Sequence, residues 1–225
     1  MNESILKVDL EEKQKHSNLD QQKKNKAKYF AGILVPPILF LMMFLIYQGF
    51  GVIFGSEVGW YMGLFVYWMF CGLLFSARLI GIKKIKQLSS PRRLKMKLIP
   101  FIIFPALMAF IFRISSGTVY PKINLLVVIG LVITAFGNGI FEEILWRGVY
   151  MELYPNSNFL RIIYSTFWYA VFHFASGSLS SNSNVLALVI GSAFFGIFLA
   201  LLAKYTNTIW WSIVSHILGG LVMIA

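Results

Sequence analysis

Long apolar segments separated by short polar connections constrain this sequence more than any other feature. Seven of them follow a polar start, at roughly Tyr29–Phe54, Val58–Gly81, Leu98–Ile114, Ile123–Tyr150, Phe159–Phe174, Val185–Ala203 and Thr208–Ala225. A helix needs about 20 apolar residues to cross the ~30 Å hydrocarbon core of a bilayer. The sequence therefore predicts an all-α fold: a polytopic membrane helix bundle with about seven transmembrane helices, formed by residues 29–225.

Composition supports this class and argues against a soluble protein. Hydrophobic residues make up 58% of the 225-residue chain and charged residues 13%, whereas a soluble domain is nearer half apolar and about a quarter charged. The net charge of +11 is typical of the basic cytoplasmic loops of membrane proteins. We expect the lipid bilayer, and no nucleic acid, as a partner. The single cysteine, Cys71, excludes an internal disulfide and a CxxC metal site.

The basic residues predict the orientation. Residues 1–28 are polar and of mixed charge, without the apolar region of a signal peptide, which predicts a solvated cytosolic tail without fixed structure. The connection between the second and third segments contains no acidic residue and many basic ones: Arg78, Lys83, Lys84, Lys86, Arg92, Arg93, Lys95 and Lys97. Basic connections stay in the cytoplasm. We predict a multi-pass cell-membrane protein with a cytoplasmic N-terminus and, after seven spans, Ala225 outside.

Few ionisable residues lie within the predicted spans. The candidates are Glu142, Glu143, Arg147, His173 and His216. Ionisable groups in hydrocarbon are costly and usually face a bundle interior or a water-filled cavity. They therefore indicate either a functional site or a buried ion pair that pins helices together.

Helical spacing separates the two glutamates. Glu143 and Arg147 are four residues apart on one helix face, in the favoured order for an ion pair. Glu142 points about 100° away from Glu143 and has no cation on its own helix. We therefore expect a structural ion pair between Glu143 and Arg147, and a functional role for Glu142.

Three of these residues are predicted to lie at similar depth. At 1.5 Å per residue, Glu142, His173 and His216 lie about 12, 18 and 18 Å from the predicted cytoplasmic ends of their helices. A carboxylate and two imidazoles together can activate water and stabilise an oxyanion, or bind a metal. The donor count allows a divalent metal such as zinc on His173, His216 and Glu142. The two histidines lie on different helices, unlike those of an HExxH motif, and a metal-free glutamate mechanism is favoured.

These residues also occur in a family order. The sequence resembles the CPBP family of membrane proteases, which includes CAAX prenyl endopeptidases, Abi proteins and bacteriocin-processing enzymes. The matching residues are the EExxxR set Glu142, Glu143 and Arg147, then Tyr169 and His173, then His216. The resemblance extends from about Asn138 to Gly220, within a protease core of about 123–225.

The resemblance implies an intramembrane endopeptidase with a cavity open toward the cytoplasmic leaflet. Glu142 would activate water, His173 would assist, and His216 would stabilise the oxyanion, supported by Glu143 and Arg147. The substrate would be a membrane-associated peptide or protein, such as a bacteriocin or pheromone leader peptide or a CAAX-like protein. Two other functions stay open: a non-enzymatic bacteriocin self-immunity protein and a proton-coupled transporter, although a transporter usually shows internal repeats and none is found.

Two positions depart from the family pattern. Tyr169 stands where the family usually has phenylalanine, and Gly220 stands where it usually has an asparagine that helps to hold the oxyanion. Asn138, one turn before Glu142, is a candidate to replace that asparagine. Loss of activity is the alternative consequence of Gly220.

Overall fold

The computed structural model describes residues 3–115, 125–179 and 184–222, and every regular element within them is a helix. The eight helices are α1 (Glu3–Phe54), α2 (Ser56–Ile80), α3 (Ile82–Leu88), α4 (Ile99–Ser115), α5 (residues 125–153), α6 (residues 159–177), α7 (Val185–Thr206) and α8 (Trp210–Val222). The predicted all-α fold is confirmed. Ala225, which the predicted orientation places on the extracytoplasmic side, is not among the described residues.

All seven predicted apolar segments are helical where the structure describes them. Four helices are long and apolar enough to span a membrane: Gln14–Phe54, Ser56–Ile80, Val128–Leu153 and Val185–Thr206. Met96–Ile111 and Trp210–Val222 are apolar but shorter. The chain is thus a multi-pass membrane protein by length and composition, while the count of seven spans stays a prediction.

The N-terminal segment differs from the expected unstructured tail. Helix α1 begins at Glu3 and continues without a break to Phe54. The polar residues from Asn18 to Lys26 are exposed along it. The physical reason is that this segment contains no glycine or proline and many residues of good helix propensity, so it extends the apolar helix that follows.

Two consecutive prolines lie inside α1 without ending it. Pro36 and Pro37 lack an N–H, so the carbonyls four residues earlier, Gly32 and Ile33, lose their helical partners. The Tyr150 hydroxyl donates to the Gly32 carbonyl at 2.9 Å, and the Tyr164 hydroxyl donates to the Ile33 carbonyl. Side chains of α5 and α6 thus satisfy the groups that the prolines leave free, as is common in membrane helices.

Helix α5 departs from regular α-helical geometry around the candidate site. Its backbone widens into π-helical turns over Asn138–Glu142 and Ile144–Val149. Such turns are rare and often occur at functional sites. The widening changes the directions of the glutamate side chains from those given by 100° per residue.

The basic connection closes one end of the bundle, which we call the basic end. The Thr208 hydroxyl lies 2.6 Å from the Leu88 carbonyl and 2.8 Å from the Ser90 carbonyl. Lys84 pairs with Glu152 at 2.9 Å. These contacts bring α3 and the residues after it against the ends of α5 and α7 and the start of α8.

At the opposite end, α1 and α2 meet in a tight turn. Gly55 has φ 83°, a conformation that favours glycine. A Cβ atom on Gly59 would lie 2.6 Å from the backbone nitrogen of Gly51. The two helices therefore approach each other closely just beyond the turn.

Candidate active site

The two adjacent glutamates lie in the widened part of α5, in the interior of the bundle. Glu142 is 4% exposed and Glu143 is 0% exposed. Their carboxylates have different surroundings, because Glu143 is enclosed by cationic and imidazole groups whereas Glu142 lines a pocket. This difference underlies the assignment of their roles.

Glu143 is the centre of a buried polar cluster. Its Oε1 accepts hydrogen bonds from Arg147 Nη1 and from His216 Nδ1, each at 2.9 Å. The expected ion pair of Glu143 and Arg147 is therefore present. The bond to His216 was not expected from sequence, and it links the ion pair directly to a candidate catalytic residue.

Arg147 is held by more than its carboxylate partner. Its Nη2 donates to the Gly196 carbonyl of α7 at 3.0 Å, and its guanidinium lies 4.3 Å from the centre of the Tyr169 ring. A Cβ atom on Gly196 would lie 2.8 Å from Tyr169 Cδ1 and 3.1 Å from Arg147 Nη2. A glycine at position 196 thus allows α7 to close over the arginine.

The surroundings of His216 identify the proton on its ring. Because a carboxylate only accepts hydrogen bonds, the short contact with Glu143 means that Nδ1 of His216 donates. The other ring nitrogen, Nε2, lies 3.8 Å from Glu142 Oε2. His216 therefore bridges the two glutamates, with one ring nitrogen facing each.

His173 is oriented by its own helix. Its Nδ1 lies 2.8 Å from the carbonyl of Tyr169, one turn earlier on α6. A carbonyl accepts, so Nδ1 carries a proton, and Nε2 of the neutral ring is left as an acceptor. The Tyr169 ring packs edge-on against His173 with centroids 4.7 Å apart. Tyr169 thus contacts both His173 and Arg147.

A pocket of about 740 Å³ brings Glu142, His173 and Asn138 together. Aromatic and aliphatic side chains form most of its wall: Tyr47, Trp60, Tyr61, Leu64, Tyr67, Leu131, Phe172, Leu179 and Leu188. An apolar cavity with a few convergent polar groups is the usual form of a ligand site. Glu143, Arg147 and His216 do not line it and lie behind Glu142.

Glu142 presents an unpaired oxygen in this setting. Within the described part of the chain, its Oε2 is buried and makes no hydrogen bond. Glu143 Oε2 is likewise without a hydrogen bond, but it does not reach the pocket. Buried carboxylate oxygens normally have partners; Oε2 of Glu142 faces His216 Nε2 at 3.8 Å, beyond hydrogen-bond distance, and of the two glutamates Glu142 is the one that lines the pocket.

Trp68 of α2 fixes the amide of Asn138. The indole Nε1 of Trp68 donates to Asn138 Oδ1 at 2.9 Å. Because an indole N–H is only a donor, the amide oxygen faces Trp68 and the amide nitrogen keeps both hydrogens for other partners. Sequence reasoning missed Trp68, because it lies in the apolar middle of α2 and no motif marks this position.

Gly220 serves close helix packing. A Cβ atom at this position would lie 2.9 Å from the Ala135 Cβ, where α8 passes α5. An asparagine side chain would therefore be forced against α5. The departure from the family pattern at Gly220 has a packing reason, and Asn138 lines the pocket from α5.

The predicted metal ligands do not form a metal site. Among the residues that the structure describes, no three His, Cys, Asp or Glu side chains are grouped so as to hold a metal ion. A catalytic zinc site needs three protein ligands around one point. Glu142, His173 and His216, as placed here, do not fit that requirement.

Part of the chain matches a known protein family. Residues 123–222 match the family model described as type II CAAX prenyl endopeptidase Rce1-like. This part of the chain is an Rce1-like domain of the CPBP family. The resemblance drawn from the sequence is confirmed, and the matched residues include all of the candidate site residues on α5, α6 and α8. No curated protein and no solved structure matches the chain significantly.

The match to the Rce1-like family indicates a general class of activity. This family consists of CAAX-type endopeptidases, so a protease acting on peptide substrates in the membrane is indicated. The match begins after α4, and Trp68, which orients Asn138, lies outside it. The pocket is thus completed by helices that the family match does not include.

Proposed function

We propose that this chain is an intramembrane endopeptidase that uses Glu142 as its general base. The observation that carries the proposal is the buried Glu142 carboxylate, which lines a pocket with His173 and Asn138 and has an oxygen unpaired by the protein. A general base must lie within hydrogen-bond reach of the proton that it removes. A water in this pocket can meet that condition.

The reaction follows from these positions. Glu142 takes a proton from water as the water oxygen forms a bond to the carbonyl carbon of the substrate peptide, and His173 Nε2 accepts the second water hydrogen to orient it. The carbonyl electrons move to oxygen. When the C–N bond breaks, the carbonyl reforms and Glu142 returns its proton to the leaving nitrogen. Catalysis of each proton transfer contributes about 10²–10⁴-fold.

The oxyanion needs a donor, and Asn138 is the residue best placed to provide one. Trp68 donates to its amide oxygen, and among the residues that the structure describes no hydrogen bond from the amide nitrogen is found. His216, expected above to stabilise the oxyanion, instead faces Glu142 with Nε2 and is held by Glu143. We assign it the positioning of the Glu142 carboxylate. Among the described residues, the donor set does not fit a three-ligand metal site.

The substrate belongs to the class of peptides that reach the membrane. Leader peptides of bacteriocins or pheromones and CAAX-like proteins are the proposed candidates. The orientation proposed from the basic residues, with the N-terminus in the cytoplasm, applies to this function as well.

The test compares secreted and membrane peptides by mass spectrometry in cells that produce the wild-type chain or Glu142→Gln. Glutamine keeps the shape and removes the base, so cleavage products should disappear while the level of membrane-extracted protein is unchanged. Glu152→Gln, in a surface ion pair with Lys84, is the matched control and should leave the products intact.

Two further results decide between alternatives. Identical peptides in wild-type and Glu142→Gln cells would contradict proteolysis and favour the non-enzymatic immunity function. With a substrate found, the purified protein should keep its activity after exhaustive chelation. Activity that disappears on chelation and returns with zinc would overturn the metal-free mechanism.

A further inference from the structure

The residues that line the pocket are not distributed evenly along the bundle. Nine of the 16 lining residues lie toward the end opposite the basic end: Ser56, Glu57, Trp60 and Tyr61 after the α1–α2 turn, Leu131 near the start of α5, Ser176, Gly177 and Leu179 at and just after the end of α6, and Leu188 at the start of α7. Ser56 and Glu57 are exposed. The pocket therefore leads from Glu142 toward this end, which we call the pocket end.

On the other side of Glu142 the bundle is closed. The next residues of α5 toward the basic end include Leu145, Trp146, Val149 and Tyr150, which are 2% exposed or less. Arg147, 1% exposed, fills the space between α5 and α7 with its bonds to Glu143 and Gly196. Beyond them, Thr208 joins α8 to the basic connection. A layer of buried side chains thus separates Glu142 from the basic end.

The two ends also differ in charge. Residues 44–66, 125–141 and 174–195, which flank the pocket end, contain one charged residue, Glu57, and the end of α4 and its connection to α5 add two basic residues, Arg113 and Lys122. The basic connection 78–97 contains eight basic residues and no acidic one. Such an asymmetry is the signal that sets the orientation of membrane proteins, with the basic side in the cytoplasm.

From these observations we propose that the active-site pocket opens on the face of the membrane opposite the cytoplasm. The substrate is then a peptide segment that has already been carried to the extracytoplasmic half of the bilayer, and not one presented from the cytoplasm. This deepens the proposed peptidase function and rests on it for the nature of the substrate. It runs against the cytoplasmic opening that the family resemblance implied.

The lone cysteine makes a direct test possible. Cys71 is fully buried, and Cys71→Ala gives a background without thiols. Into it are placed Ser56→Cys at the pocket mouth, Ser176→Cys in the pocket, and Ser90→Cys on the basic connection as the matched exposed control. Each is treated in intact cells, and again after permeabilisation, with a thiol reagent that does not cross membranes.

We expect Ser56→Cys and Ser176→Cys to be labelled in intact cells, and Ser90→Cys only after permeabilisation. Labelling of Ser176→Cys only after permeabilisation, or labelling of Ser90→Cys in intact cells, would overturn the proposal. Labelling of Ser56→Cys without any labelling of Ser176→Cys would also overturn it, because the pocket would then be closed at this end.

The labelling is read without any assay of cleavage. Its outcome therefore stands or fails separately from the peptidase function, which depends on the comparison with Glu142→Gln. In the wild-type chain, the Ser176 hydroxyl lies 3.3 Å from the His173 carbonyl oxygen. Where a cleavage assay exists, labelling of the cysteine in Ser176→Cys should therefore abolish cleavage, because the attached reagent fills the pocket. Retention of cleavage in fully modified protein would count against access by this route.

Discussion

The Nδ1 atom of His216 lies 2.9 Å from Oε1 of Glu143. This contact joins α8 to the EExxxR segment of α5 and places the other ring nitrogen toward Glu142. The ion pair of Glu143 with Arg147 is thus both a structural element and the support that orients a residue next to the proposed catalytic carboxylate.

Glu143→Gln should lower stability more than Glu142→Gln does. It leaves Arg147 buried without its carboxylate, and breaking a buried ion pair in this way costs about 3–5 kcal/mol. The level of membrane-extracted protein and its thermal unfolding in detergent measure the effect. The double variant Glu143→Gln/Arg147→Gln, which removes both charges, should recover part of the loss. Unchanged stability in Glu143→Gln, with activity lost, would reverse the roles assigned to the two glutamates.

Two replacements of His216 separate its two contacts. The amide nitrogen of an asparagine can take the place of Nδ1, so His216→Asn should keep the bond to Glu143 and the folded protein. The shorter asparagine side chain no longer reaches Glu142, so His216→Asn should reduce kcat by about 10²-fold, as for misplaced catalytic groups. His216→Gln reaches further but loses the Glu143 bond, and should accumulate less. The idea of a positioning role fails if His216→Asn retains full activity.

Asn138 and Trp68 are expected to act as a pair. Asn138→Leu removes the amide donor and should reduce kcat by about 10²–10³-fold, the usual effect of losing one oxyanion donor. Trp68→Phe keeps the amide but frees it to rotate, and should have a smaller effect in the same direction. The measurement is kcat on the substrate found by peptide comparison. A larger loss in Trp68→Phe than in Asn138→Leu would show that the tryptophan matters for another reason.

Restoring the family residue at position 220 should not improve the enzyme. Gly220→Asn forces a side chain against Ala135, and overpacking of this kind costs about 1–3 kcal/mol. We expect less folded protein and no gain in activity. The control Ala135→Gly/Gly220→Ala should accumulate better than Gly220→Ala alone, since it removes the atom that the new Cβ meets. Higher activity in Gly220→Asn would mean that the lack of an asparagine at position 220 limits the activity of the wild-type chain.

The sequence by itself determined the class of this protein and much of its site. Membrane-length apolar segments impose helices, and the structure has a helix in each. The four-residue spacing of Glu143 and Arg147 predicted their ion pair, because both lie on one helix and local geometry is sufficient. The order of glutamates and histidines predicted the family that the match to residues 123–222 then confirmed.

Which faces of the helices pack against one another could be learned only from the tertiary structure. A helix that is apolar on all sides carries no pattern that shows which face is buried. Trp68 and Asn138 are 70 residues apart, and Gly220 meets Ala135 only because α8 crosses α5. The widened turns of α5 place His216 between the two glutamates, which the spacing of a regular helix did not show. The same packing buries the α5 side chains between Glu142 and the basic end and brings residues of five helices around the pocket, and no single segment encodes these contacts.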